Sequence, residues 1–153
     1  MGYYLSEGSF DNRDKHHRIE IAQKKYKDFM FDKLKFFNPK LVKAGINIYS
    51  KELKQYCRQF GKSSEKFIPD IIKGLPADKI RLFLDAFALG DGSIKRFIES
   101  NKFDGFVYNR YYTSSKRMAD DLVELIIKTG MGVSTDFQKR KGKVVKLKNG
   151  EYE

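Results

Sequence analysis

The 153-residue sequence contains a single cysteine, Cys57. One thiol can neither build a disulfide framework nor supply a cysteine zinc set, and its expected place is as a small hydrophobe on a helix. The only two histidines, His16 and His17, are neighbours. Adjacent side chains on an extended chain point to opposite faces, so the two do not form a metal site. No apolar run approaches the roughly 20 residues that span a bilayer, which leaves no membrane segment to expect. The N-terminus lacks a secretory-signal profile, so an intracellular location, cytoplasmic or nucleoid, is expected. Acidic residues are in deficit: 31 Lys and Arg face 20 Asp and Glu, a net charge of +11. The first 76 residues hold 16 basic and 9 acidic side chains and the remainder 15 and 11, so the excess is spread over both halves. A polyanion is the natural partner of such a surface.

A short pattern is present twice. Gly2-Tyr-Tyr-Leu-Ser-Glu7-Gly8-Ser9 stands near the start, and Leu84-Asp-Ala-Phe-Ala-Leu-Gly90-Asp91-Gly92-Ser93 in the middle. Each is a small-residue-rich apolar stretch of helical character that ends in one acidic residue followed by Gly-Ser. Residues 7 and 91 lie 84 apart, close to half the chain. Small residues let two helices approach closely. Packed together, the two stretches would bring Glu7 and Asp91 to the foot of one interface. Two neighbouring carboxylates repel at neutral pH, and a divalent cation relieves them. An oxygen-rich pair suits Mg²⁺, which keeps several waters and takes further oxygens from substrate phosphate. Such a centre can promote in-line phosphodiester displacement.

The remaining pattern predicts an α+β chain. Ser9 to Arg13 and His17 to Gln23 read as a hairpin in which Ile19 and Ile21 share one face and Arg18, Glu20 and Ala22 the other. A helix is expected from Tyr26 to Phe37, with Phe29, Met30, Leu34 and Phe37 as its apolar stripe. A second hairpin, Leu41 to Lys43 with Ile46 to Tyr49, turns Ile46 and Ile48 inward and Asn47 and Tyr49 outward, and a helix follows from Ser50. The second half repeats the order. It has a signature helix over Asp78 to Gly90, strands over Ser93 to Ile98 and Gly105 to Thr113, and a helix from Lys116 to Lys128 capped by Ser114-Ser115. A last hairpin is expected to pair Met131 to Gln138 with Val144 to Lys148.

The paired motifs at 2–9 and 84–93 resemble the signature of LAGLIDADG (DOD-type) homing endonucleases. The likeness extends to Ile21-Ala-Gln23-Lys24 and, as in intein-borne members, to Lys66-Phe-Ile-Pro69. The resemblance implies a pseudo-twofold repeat of αββαββ(α) units, residues 1–76 and 77–153, with two antiparallel saddle-shaped sheets and their helices on one side. It implies Mg²⁺ or another divalent cation on Glu7 and Asp91, with Lys24, Gln23 and Lys66 as further catalytic residues. Arg18, Glu20, Asn47 and Tyr49 of the first half would then contact DNA, as would Arg96, Asn109, Tyr111, Lys116, Gln138 and Arg140 of the second. The implied partner is double-stranded DNA with a long asymmetric site, bound by a monomer with internal pseudo-symmetry. Three readings are open from the sequence: a site-specific DNA endonuclease, a catalytically inactive DNA-binding regulator or RNA maturase-like protein on the same scaffold, and a basic α+β domain whose acidic helix ends are caps.

Overall fold

The computed structural model describes residues 1–96, 107–138, 145–147 and 150–152. The chain is mixed α+β with antiparallel sheets. It opens with helix α1 (Gly2–Glu7), which runs without a loop into strand β1 (Gly8–Ser9). Strand β2 (Arg18–Ile21), helix α2 (Lys27–Leu34), strands β3 (Lys40–Val42) and β4 (Gly45–Tyr49), and helix α3 (Lys51–Cys57) follow. The four strands form one sheet in the order β1-β2-β4-β3. Its register sets Ile19 opposite Ile48 and Ile21 opposite Ile46. All four isoleucines are at most 2% exposed, so the alternation read from the sequence places one face of the sheet in the core.

Two helices of the first half end in a tighter turn. Residues Lys35–Phe37 form a 3₁₀ turn after α2, stopped by Asn38 in the left-handed region (φ 47°). The predicted stripe fails at its ends, with Phe29 51% and Phe37 43% exposed and only Met30 fully buried. A 3₁₀ turn advances about 120° per residue, against about 100° in an α-helix, and that difference swings Phe37 off the apolar face.

A short helix, α4 (Asp70–Lys73), precedes α5 (Ala77–Asp91), which again passes directly into a strand, β5 (Gly92–Arg96). Strand β5 pairs with β6 (Val107–Tyr111), and helix α6 (Lys116–Lys128) follows. Ser115 caps α6, its hydroxyl accepting the Met118 N–H at 3.1 Å. Met118, Leu122, Leu125 and Ile126 are all buried, the stripe expected of this helix. They join Tyr4, Leu5, Phe60, Ile80, Phe83, Leu84 and Phe87 in the main core, where α5 packs against both α1 and α6.

The last hairpin differs from expectation. Strand β7 (Val145–Leu147) pairs with β8 (Gly150–Tyr152), whereas residues 131–138 are exposed and form no strand. Two residues separate β7 from β8, the length that favours local pairing over a distant partner.

Candidate active site at the foot of two helices

Helices α1 and α5 end on Glu7 and Asp91, and the backbone at the two ends is treated alike. The Ala22 N–H donates to the Glu7 carbonyl at 3.1 Å, and the Tyr112 N–H to the Asp91 carbonyl at 2.7 Å. The helices meet through their small residues. A Cβ added to Gly2 would stand 2.8 Å from Ala86 Cβ, and one added to Gly90 would stand 2.6 Å from Glu7 Cγ. Only glycine permits that approach.

The two carboxylates are brought into each other's field. The pKa of Glu7 is raised by burial first and then by the charge of Asp91, while Lys66 opposes the rise. That of Asp91 is raised by burial, again opposed by Lys66. The mutual repulsion belongs to the pair and not to either residue. Both groups also sit at helix C-termini, where the backbone carbonyls disfavour negative charge.

Lys66 is 6% exposed. Its Nζ donates to the carbonyls of Tyr4 at 3.0 Å, Leu5 at 3.1 Å and Gly8 at 2.8 Å. An ammonium has three N–H donors, so all are spent on the end of α1. Lys66 is thus a positioning residue that caps a helix end lacking basic residues of its own. Burial lowers its pKa, opposed by the charges of Asp91, Glu7 and Cys57.

Gln23 is 8% exposed and bridges the helices. Its Nε2 donates to the Leu89 carbonyl at 3.0 Å and to Glu7 Oε1 at 3.3 Å, while its Oε1 accepts the Lys25 N–H at 2.9 Å. Lys24, beside it, is exposed. The place matching Gln23 in the second half is Thr113, whose Oγ1 accepts the Ser115 N–H at 3.1 Å, again two residues on. Ser114 then stands where the first half has Lys24. Lys116 lies two residues further, exposed and ion-paired with Asp120 at 3.1 Å.

On the outer face of the first sheet, Arg18 is in register with Tyr49, and Glu20 with Asn47, which Lys40 flanks on its other side. Lys40 Nζ lies 5.3 Å from the Tyr49 ring centroid. Asn47 is only 6% exposed, and its Oδ1 has no hydrogen-bond partner among the described residues. For the second sheet the expected face is corrected. The Tyr111 ring packs 6.3 Å from Phe87, and Asn109 Nδ2 donates to the Tyr111 hydroxyl at 3.3 Å. Both therefore lie on the helix side, and the exposed Arg110 between them points the other way. Gln138 is exposed, Arg96 is opposite Val107 in β5, and Arg140 lies outside the described residues.

Among the described residues no group of three or more His, Cys, Asp or Glu side chains is placed to hold a metal ion. Glu7 and Asp91, both half-buried, would offer a hard cation that retains waters two carboxylates, with the Lys66 ammonium nearby. Residue type, spacing and the family resemblance point to Glu7, Asp91 and Gln23, which the fold places together. The carbonyls that engage Lys66 and Gln23 are not legible in the sequence, since a backbone acceptor leaves no mark on residue type. No protein-family model and no curated protein sequence matches the chain. Among the described residues no helix is long and apolar enough to cross a membrane.

Proposed function

We propose that this chain is a site-specific double-strand DNA endonuclease of the LAGLIDADG homing type. The observation that carries the reading is the meeting of Glu7 and Asp91 at the feet of two helices packed through glycine. A divalent cation such as Mg²⁺, held by those two carboxylates, would supply charge stabilisation for phosphodiester hydrolysis. Gln23 fixes one oxygen of Glu7, and Lys66 holds the helix end that carries it. Lys24, exposed beside Gln23, would face phosphate. The outer sheet face, with Arg18, Glu20 and Tyr49, would lie along the DNA groove. The like treatment of the two helix ends supports two related halves, 1–76 and 77–153, acting as one pseudo-symmetric monomer. With Mg²⁺ as its metal and a mobile genetic element as its setting, such an enzyme works inside the cell.

Cleavage of a randomised duplex library with Mg²⁺ tests the reading. Cut products are expected from the native chain, and both Glu7→Gln and Asp91→Asn should lower cutting at least about a hundredfold. Thr113 and Ser114, in place of Gln23 and Lys24, favour a second reading: a DNA-binding regulator or RNA maturase-like protein that has lost half of its chemistry. Salt-sensitive retention of one DNA or RNA without cutting would select it.

A further inference from the structure

A cavity of about 640 Å³ opens beside the loop joining β1 to β2, with neither Glu7 nor Asp91 in its wall. Its lining includes Phe10, Asp11, Arg13, Arg18, Glu20 and Lys62. The loop is built, not slack. Asp11 Oδ1 accepts the Arg13 N–H at 2.9 Å, and Asp14 accepts the N–H groups of His16 and Arg18, each at 3.0 Å. Beneath it Lys54, 2% exposed, donates from Nζ to the Asp11 carbonyl at 2.7 Å and the Asp14 carbonyl at 2.9 Å. A buried ammonium thus fixes the loop and adds positive potential below the cavity floor.

The wall carries three cations against two carboxylates, and its cations have donors to spare. Arg13 gives Asp11 its Nε and Nη2 hydrogens, which leaves three of the five that a guanidinium holds. Arg18 Nε stands 3.8 Å from Asp14 Oδ2, beyond hydrogen-bond reach. Lys62 Nζ has no acidic partner among the described residues. The volume is that of small-molecule sites, enough for one nucleotide unit.

We propose that this cavity is a phosphate cradle, distinct from the carboxylate pair, which seats a backbone phosphodiester of nucleic acid lying across the first sheet. Arg18 and Glu20 belong both to the cavity wall and to the outer sheet face, so a strand following that face enters the cradle. The nucleic-acid source of the phosphate rests on the endonuclease reading; the phosphate chemistry itself does not.

The test compares the full chain with Arg13→Gln, Lys62→Gln and Lys15→Gln, the last an exposed lysine of the same loop outside the cavity wall. Binding of random-sequence duplex DNA is followed by fluorescence anisotropy across a salt series. Arg13→Gln and Lys62→Gln should each reduce the slope of log affinity against log salt by about one, uniformly over sequences. Lys15→Gln should leave the slope near that of the native chain. Equal slopes for all four proteins would overturn the cradle. Should the native chain retain no duplex, the endonuclease reading fails, and NMR titration with inorganic phosphate and with a mononucleotide decides. Shifts at Arg13, Arg18 and Lys62 that vanish in Lys62→Gln then identify a free phosphate ligand, and no shifts overturn the site.

Discussion

The carboxamide of Gln23 ties β2 to the far helix: its Nε2 donates to the Leu89 carbonyl at 3.0 Å, in the last turn of α5. The same nitrogen reaches Glu7, and the side-chain oxygen is taken by the Lys25 N–H. All its polar atoms are therefore engaged in a nearly closed environment. Gln23→Ala leaves the Leu89 carbonyl and one Glu7 oxygen without that donor, which should destabilise the chain by about 1–3 kcal/mol. Urea unfolding measures this as a lower midpoint at constant slope. An unchanged midpoint would mean that the bridge contributes nothing.

Lys66→Met keeps the length of the side chain and removes the ammonium. Three carbonyls at the end of α1 then lose their donor together. At about 1 kcal/mol for each unmet buried acceptor, the expected loss is about 3 kcal/mol. Hydrogen exchange should locate it, with faster exchange in α1 and little change in α6. Uniform acceleration through both helices would contradict a local cap.

The acidic pair sets a pH dependence whose sign follows from the raised pKa values of Glu7 and Asp91. A carboxyl whose pKa rises on folding holds its proton more tightly in the folded chain. Its contribution is complete below the ordinary values of 4.5 and 3.8 and is lost as pH rises through the elevated ones. Without metal, Glu7→Gln should therefore become progressively more stable than the native chain between acid and neutral pH. Mg²⁺ should raise the melting temperature of the native chain at neutral pH and leave Glu7→Gln/Asp91→Asn unaffected. Thermal scans over pH, with and without Mg²⁺, read both effects. A native-minus-variant difference that is flat with pH would show that folding does not raise the Glu7 pKa.

Much of this arrangement is legible in residue type. Ile19, Ile21, Ile46 and Ile48 announce the buried sheet face because a strand's period of two permits only one partition. Met118, Leu122, Leu125 and Ile126 do the same for α6 at helical spacing. Glu7 and Asp91 are found because their surroundings are repeated. The misassigned residues fail for physical reasons. Asn109 and Tyr111 are polar enough to suit either face, and only the packing of Tyr111 on Phe87 fixes their parity. Residues 131–138 alternate like a strand, yet strand pattern is not strand pairing. Residue type marks neither Lys54 nor Lys66 as a buried anchor, since their partners are backbone carbonyls set by tertiary structure.

The segment that joins the two signature helices is gripped from the far side. Ser115 Oγ donates to the Lys66 carbonyl at 2.6 Å, and Asp121 Oδ2 accepts the Ile68 N–H at 2.7 Å. Asp121 also pairs with Lys73, and the Arg117 guanidinium lies 3.9 Å from the Phe67 ring centroid. Residues 66–73, counted with the first half by sequence, are thus fastened to the second by contact. A break in the exposed turn after Gly61 would leave residues 66–73 on the second fragment, with Lys66 still holding the end of α1 on the first. Glu7 would travel with one fragment and Asp91 with the other, so neither piece would own the acidic centre. Any two pieces cut there would share one core and have to rejoin α1 to α5 to rebuild the acidic pair.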